Sequence, residues 1–244
     1  MAVPFLYAEF LQGRSIVLDE ETSKYLIQVL RKVKGEEVLI TNGKGAKAAG
    51  IIEDDHRKKA VIRIEDIVNV EEKKQKVSIG ISLVKNTSRF EWFLEKATEI
   101  GVDEIIPLLC ARTEKEKFRI ERLQGILVSA MLQSQQCWLP KMTAPVDFSD
   151  FINNSTSLYQ RKFIAHCIDA EEKKLPQINR NGDHSSLILI GPEGDFTLQE
   201  IELALQKAFE PVSLGNTRLR TETAGMVAAV MLVNGGFANK AAMI

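Results

Sequence analysis

The sequence predicts an α/β fold in two parts, a small β-rich module over residues 1–72 and an α/β domain over residues 73–244. Short apolar runs separated by turn residues fill the first part, as in a set of short strands. The run Glu71–Lys76 holds no apolar residue and is typical of a linker. Beyond it strands alternate with helices, which is the pattern of a parallel sheet with helical crossovers.

The first module is predicted to consist mostly of strands, at Glu37–Thr41, Ala48–Ile52 and Ala60–Ile64. Asn42 and Gly43 tolerate positive φ, so they indicate a hairpin turn between the first two strands. The acidic run Glu53–Asp55 indicates the turn before the third strand. One helix is predicted over about Glu21–Lys32, because apolar residues recur there at helical spacing and Gly35 follows its end.

The second part is predicted to hold five strands, at Val77–Leu83, Val102–Leu109, Lys162–Cys167, Leu187–Ile190 and Val212–Leu214. The fourth is short and wholly apolar, as expected of a central buried strand. Four helices alternate with them and are delimited by local signals. In chain order these signals are the Ser88–Glu91 capping box and Gly101, the span Arg119–Gln136, the Thr197–Glu200 capping box, and a loop Leu214–Gly225 leading into a helix that ends near Asn234.

Charge and hydropathy restrict the class of protein. Lys plus Arg number 32 and Asp plus Glu 33, a net charge of −1, so any site for a polyanion has to be a local patch. The longest apolar stretch near a helix, Ala224–Val233, has ten residues, whereas a membrane-spanning helix needs about 20. The first fifteen residues contain Glu9 and no cationic leader, so we expect no secretory signal and a cytoplasmic protein.

Cysteine and histidine patterns predict neither a disulfide framework nor a local metal site. The three cysteines never lie within four residues of one another, so we expect reduced, buried thiols. The three histidines, His56, His166 and His184, stand apart from one another and form no His-x-x-x-His pair. The glycines of Gly43–Gly50 have the wrong spacing for a dinucleotide fingerprint. We therefore expect a reaction that needs no metal.

Two loops carry the functional signal, since ligands of open α/β sheets bind where the chain leaves the carboxyl ends of strands. The first loop begins with GPEGDF. Its Gly191 and Gly194 allow a ligand to approach the backbone, and Pro192 stiffens the turn between them.

The second loop, LGNTRLRTETAG, places two guanidinium groups just before a helix start, on Arg218 and Arg220. The alternative interpretation is that the glycines of the first loop only shape turns. In that case Arg220 and Glu222 form a solvated ion pair without a ligand.

As a set, LILIGPEGDFTLQEIE and VSLGNTRLRTETAGMVAAVMLV, with KNTSRFEWFLEKATEIGVDEIIPL upstream, closely resemble the ribosomal RNA small subunit methyltransferase E family. YLIQVLRKVKGEEVLITNGKG resembles the amino-terminal PUA-like β-barrel of that family, so the resemblance covers nearly the whole chain. It implies methylation of N3 of a uridine in 16S rRNA of the small ribosomal subunit, with S-adenosylmethionine as cofactor. It also implies a SPOUT domain with a deep trefoil knot and a homodimer, neither of which periodicity predicts.

The resemblance also implies which residues bind S-adenosylmethionine. They are Ile190, Gly191, Pro192, Glu193 and Gly194 in the first loop, and Leu214, Gly215, Leu219, Arg220, Thr223 and Ala224 in and after the second. This agrees with the chemistry of adenine, whose edge needs a donor and an acceptor at fixed spacing and whose faces need apolar neighbours such as Ile190 and Leu214.

The reaction assigns roles to two residues. Methyl transfer from a sulfonium needs in-line placement of the nucleophile, so positioning and electrostatics have to lower the barrier. Our hypothesis is that Arg220 stabilises negative charge on the uracil oxygens as N3 loses its proton. Glu222 is a candidate proton acceptor, and the alternative is that it only orients Arg220.

Local positive charge is expected to hold the RNA. Between Lys24 and Lys47 six basic residues stand against two acidic ones, a net charge of +4 that suits phosphate contacts. The predicted RNA-binding residues are Lys24, Arg31, Lys32, Lys34, Lys44 and Arg218. A second basic cluster is interleaved with glutamates and carries less weight; it comprises Arg112, Lys115, Lys117, Arg119 and Arg122. Trp138 is a candidate for stacking on a base, whereas Trp92 is expected to pack.

Two other functions remain open. A PUA-like barrel alone only binds, so the chain could be a non-catalytic RNA-binding or ribosome-assembly protein. It could also be a metabolic enzyme whose Gly191–Gly194 turn cradles a phosphate, although Glu193 and Asp195 would repel one. Departures from the family pattern concern RNA contacts: Leu132-Gln133 and Gln136 stand where Glu-Gln and Arg are usual, and Tyr25 where His is frequent.

Overall fold

The computed structural model describes residues 3–114, 118–154, 156–167 and 185–234. The chain forms two compact units. Unit 1 comprises Met1–Glu72 and Val128–Leu139, and unit 2 comprises Lys73–Leu127 and Pro140–Ile244. Residues 128–139, which the sequence assigns to the second domain, therefore cluster with the first. No helix in the described part of the chain is long and apolar enough to span a membrane.

Unit 1 is built on a five-stranded mixed sheet with strand order β1-β3-β4-β5-β2. The strands are β1 Phe5–Tyr7, β2 Ser15–Val17, β3 Glu37–Thr41, β4 Ala46–Asp54 and β5 Val61–Asn69. The hairpin at Asn42 is confirmed, and both Gly43 (φ +66°) and Gly45 (φ +91°) have positive φ there. The turn predicted at Glu53–Asp55 is wrong, because β4 stays paired with β5 as far as Asp54.

The helix of unit 1 is shorter than predicted. Helix α1 spans Glu20–Lys24, and a π-helical turn over Tyr25–Val29 follows it. The wider turn points Leu26 into the core, where it is fully buried, and leaves Tyr25 and Val29 exposed. The prediction of a helix to Lys32 is therefore wrong, since the apolar residues that suggested it do not share one buried face.

Unit 2 contains a parallel sheet with order β12-β10-β11-β6-β7-β8, and β9 also pairs with β7. The strands are β6 Lys76–Ser82, β7 Glu104–Leu109, β8 Lys141–Met142, β9 Val146–Asp147, β10 Arg161–Ala165, β11 Ser185–Ile190 and β12 Glu210–Val212. The prediction that Leu187–Ile190 is central and buried is confirmed, because β11 lies between β10 and β6. The predicted α/β fold in two parts is also confirmed.

The helices described after β6 are α2 Thr87–Ile100, α3 Ile120–Gln133, α4 Phe148–Asn154, α5 Leu198–Gln206 and α6 Thr221–Val233. Helix α3 begins in unit 2, and its residues from Val128 onward belong to unit 1. The capping box of Thr197 and Glu200 is confirmed at the start of α5. The capping box predicted at Ser88 is wrong. Asn86 caps α2 instead, with its side chain accepting a hydrogen bond from the Ser88 amide, and Glu91 binds Arg122.

The chain segment that follows β12 lies beside the loop that follows β11. Strand β12 lies at the sheet edge beside β10, whereas α6 packs on α2, β6 and β11. The connecting segment 213–220 therefore passes the carboxyl ends of β10 and β11.

Gly225, predicted to lie in the loop, is buried in α6, where a Cβ would approach Phe93 to 2.7 Å and Ile81 to 2.8 Å. The trefoil knot stays a prediction.

Candidate functional site

Two loops of unit 2 are joined directly at the carboxyl end of β11. The 191–196 loop follows β11, and the 213–220 loop follows β12. The buried hydroxyl of Thr221, the first residue of α6, donates a hydrogen bond of 3.0 Å to the Gly191 carbonyl. Arg218 Nη2 lies 3.5 Å from the Glu193 carbonyl oxygen. The two segments singled out by the sequence thus form one site.

The 191–196 loop has a defined local geometry. The Asp195 amide donates to the Pro192 carbonyl at 2.9 Å, and Asp195 itself takes φ +64°. A Cβ on Gly191 would lie 3.1 Å from the ring of Phe196, and a Cβ on Gly194 would lie 3.2 Å from Arg112 Cδ. Neither glycine has positive φ, so close packing is what a side chain would meet: the ring of Phe196 at Gly191, and only the flexible side chain of Arg112 at Gly194.

The carboxylate of Asp195 has a structural role. Its Oδ2 accepts a hydrogen bond of 2.7 Å from the Cys167 amide, just after β10, and its Oδ1 binds the amide of Phe196. Asp195 therefore holds the 191–196 loop to the neighbouring strand end.

Arginines from two other elements reach the same loop. Arg89 of α2 places Nη1 3.2 Å from Glu193 Oε1 and Nε 3.7 Å from Glu222 Oε1, so one guanidinium joins the loop to α6. Arg112 donates to the Gly194 carbonyl. Sequence reasoning did not single out Arg89. The only available signal was topological, because Arg89 follows β6, which pairs with β11.

Glu222 and Arg220 have different environments. Arg220 is exposed and occupies the position before α6. Glu222 is only 6% exposed, and its Oε2 is buried without a hydrogen-bond partner among the described residues. Its ion pair is with Arg89 and not with Arg220. The alternative interpretation as a solvated Arg220–Glu222 pair is therefore wrong.

The residues predicted to bind the cofactor lie at the end of β11, in the two loops or in the first turn of α6, and their exposure varies. Ile190 is 2% exposed and is paired with Ala165 on one side and Ile81 on the other, so it is buried in the sheet at the end of β11. Leu214 and Leu219 are half-buried at the loop surface. Gly215 has φ +137°, which favours glycine. Pro192 is buried, Glu193 and Gly194 are exposed, and Thr223 and Ala224 are half-buried in α6.

The predicted RNA-binding lysines of unit 1 are mostly paired. Lys24 binds Glu20 at 2.6 Å, Lys32 binds Glu36 at 2.7 Å, and Lys44 lies 3.9 Å from Glu9. Arg31 and Lys34 are exposed and make no ion pair within the described ranges, and Arg31 has φ +55°. Of the five cations of unit 1 that were predicted to bind RNA, these two are therefore the ones without an ion pair among the described residues.

Several other sequence predictions are corrected. Trp138 is half-buried, with its ring packed on Gly45 and its Nε1 donating to the Val70 carbonyl at 3.2 Å, and its stacking on a base stays a prediction. Trp92 was expected to pack and is 40% exposed. Cys167 is exposed, whereas Cys110 and Cys137 are buried as predicted. Lys115, Lys117 and His184 lie outside the described residues. Within those residues no cluster of His, Cys, Asp and Glu could hold a metal ion.

Comparison with known proteins adds independent findings. A family model described as an RNA methyltransferase domain matches residues 71–233, and one described as an RNA methyltransferase PUA domain matches residues 18–65. The ribosomal RNA small subunit methyltransferase E of Synechocystis is 30% identical over 89% of this chain and 72% of its own.

Solved structures agree in fold. A structure from Porphyromonas gingivalis described as a probable rRNA-methyltransferase superposes with a TM-score of 0.84 at 33% identity, covering 93% of this chain and 95% of its own. A structure from Legionella pneumophila described as a putative methyltransferase in complex with the bound cofactor SAM has a TM-score of 0.83 at 26% identity, covering 97% of this chain and 99% of its own. The chain therefore belongs to the RNA methyltransferase family of the ribosomal RNA small subunit methyltransferase E type.

Proposed function

We propose that this protein methylates N3 of a uridine in 16S rRNA of the small ribosomal subunit, with S-adenosylmethionine as methyl donor. The observation that carries the proposal is the bond between Thr221 and the Gly191 carbonyl, which unites the two loops at the carboxyl end of a central strand. Membership of the family supports the same reaction. We further propose that the enzyme works in the cytoplasm as a homodimer.

The residues of the two loops fit the cofactor. Backbone groups of 190–194 and 214–219 would bind the adenine edge and the ribose, and the half-buried side chains of Leu214 and Leu219 would cover the apolar faces of the adenine. When bound, S-adenosylmethionine supplies an electrophilic methyl group. Since the acceptor has to be placed in line with that group, the rigid joining of the loops is the contribution that the protein makes to orientation.

We propose that Arg220 stabilises negative charge on the uracil and that Glu222 accepts the proton from N3. Arg220 is exposed at the start of α6, so its guanidinium can face the uracil oxygens as they become negative. A buried carboxylate oxygen without a partner is costly, and the Glu222 Oε2 atom is of this kind. We propose that Glu222 accepts the N3 proton when its carboxylate turns this oxygen toward the substrate, while the ion pair with Arg89 keeps the carboxylate at the site.

The proposal is tested by adding labelled S-adenosylmethionine and the purified protein to small subunits from a strain that lacks this methylation, and then mapping the modified base. Calorimetry of S-adenosylmethionine binding tests the cofactor step alone. Heat of binding together with label on uridine N3 is expected. Tight RNA binding without cofactor heat would instead indicate an assembly protein. Binding of inorganic phosphate at the 191–196 loop would favour the metabolic enzyme.

A further inference from the structure

A groove of about 290 Å³ lies between the start of α2 and the start of α3, apart from the residues assigned to the cofactor. Its floor is apolar and its rim is polar and charged. The floor is formed by Leu83, Val84, Phe90 and Leu123, all buried. The rim is formed by Thr87, Ser88, Glu91, Phe118, Arg119 and Arg122. We call this feature the α2–α3 groove.

The α2–α3 groove opens at the same edge of the sheet as the cofactor loops. Leu83 follows directly after β6, and Ile81 of β6 pairs with Ile190, the last residue of β11. Adjacent strands are about 5 Å apart. Leu83, in the floor of the groove, and Gly191 each directly follow one of these two neighbouring strands. The groove is therefore near enough to the cofactor loops to receive a nucleotide next to a base that is bound there.

The chemistry of the rim selects an anionic ligand with a flat apolar part. Arg122 is held by Glu91 through two hydrogen bonds, Nε to Oε1 at 2.6 Å and Nη2 to Oε2 at 2.9 Å, which also lower the pKa of that carboxyl. Arg119 is exposed and makes no ion pair with any other residue that the structure describes. Two arginines against one glutamate leave a net charge of +1, with Arg119 available for a phosphate.

The floor and the hydroxyls complete the case for a nucleotide. A base can cover the apolar floor and stack beside Phe118, while Thr87 and Ser88 offer hydrogen bonds to a ribose. The volume is near the lower end of the roughly 300–1,000 Å³ range of small-ligand pockets, which suits a single nucleotide. We propose that the α2–α3 groove binds one nucleotide next to the target uridine, with its phosphate on Arg119. This inference rests on the proposed function.

The test uses two variants that act in different ways. Arg119→Gln removes the free cation, and Ser88→Trp fills the groove from an exposed position. Lys207→Gln, at an exposed position after α5, is the matched control for loss of one positive charge. S-adenosylmethionine binding, measured by calorimetry, is expected to be equal in all three, because none lies in the cofactor loops.

The readout is binding of a fluorescently labelled uridine-rich pentaribonucleotide, measured by anisotropy with S-adenosylmethionine present. Arg119→Gln removes the partner of the phosphate, and Ser88→Trp blocks the place of the base. Binding of the oligonucleotide is therefore expected to weaken about tenfold in each variant. In Arg119→Gln the dependence of log K on log salt should become shallower by about 0.7, because one phosphate of the single strand is no longer neutralised by the protein. The control should change neither quantity.

Three results would overturn the inference. The first is failure of the unsubstituted protein to bind the oligonucleotide, and the second is binding by either variant that is as tight as that of the unsubstituted protein. The third is a change of oligomeric state in Ser88→Trp by sedimentation, which would mean that a second copy of the chain occupies the groove. The proposed function fails separately. If the protein binds the oligonucleotide through the groove but transfers no label to small subunits, the groove stands and the methylation does not.

Discussion

Replacing Thr221 with Val is expected to separate the two cofactor loops while keeping the volume of the side chain. The Thr221 hydroxyl donates to the Gly191 carbonyl at 3.0 Å in a buried position. Leaving a buried acceptor unsatisfied costs about 1–3 kcal/mol, so the loops should drift until water reaches that carbonyl. If binding of S-adenosylmethionine has to restore the joined state, its Kd should rise by roughly 5- to 150-fold, at about 1.4 kcal/mol per factor of ten.

The matched control is Thr98→Val. Thr98 is also buried, and its hydroxyl donates to the Leu94 carbonyl at 2.7 Å within α2, away from both loops. Both variants should lose some free energy of unfolding in urea, and only Thr221→Val should weaken cofactor binding in calorimetry. A Kd within twofold of the unsubstituted protein in Thr221→Val would show that the bond only stabilises the fold, and the reasoning about the joined loops would be refuted.

Three further predictions concern single residues. Arg220→Ala should abolish methylation of small subunits while the Kd for S-adenosylmethionine stays within about a factor of ten, a 1.4 kcal/mol limit; turnover retained in a mass-spectrometric assay would remove Arg220 from the reaction. Gly45→Ala should lower the free energy of unfolding by about 1–3 kcal/mol, because its Cβ would lie under 3.0 Å from the ring of Trp138 at a position with φ +91°; an unchanged urea midpoint would contradict this. Burial raises the pKa of Cys110 to about 12, so iodoacetamide at neutral pH should modify the exposed Cys167 first. Mass spectrometry of the native protein measures the two rates, and equally fast modification of Cys110 would contradict the prediction.

Local signals in the sequence were reliable where a few neighbouring residues settle the conformation. Thr197 and Glu200 cap α5 because both partners lie within one helical turn. Gly101 ends α2 with φ +99° for a similarly local reason. At Ser88 the same kind of signal failed, since Asn86 offered a competing cap two residues earlier and Glu91 was taken by Arg122 from another helix.

Contacts between segments that are distant in the sequence could not be predicted from the sequence. Arg89 bridges Glu193 and Glu222, more than a hundred residues further along the chain, only because β6 lies beside β11. Pairing of Trp138 with the hairpin at Gly45 likewise depends on residues 128–139 folding with the rest of unit 1. The spacing of residues within either segment does not predict which distant residue it will contact.

By itself the sequence determined the alternation of strands and helices, the two loops at strand ends and the chemistry that their glycines and arginines favour. These follow from backbone propensity and side-chain periodicity, which act over one or two turns of chain. Only the tertiary structure decided that Glu222 is buried against Arg89, that Ile190 is buried between two neighbouring strands, and that the α2–α3 groove exists. Each of these depends on the order of strands in the sheet, and that order is set by how whole apolar faces pack together.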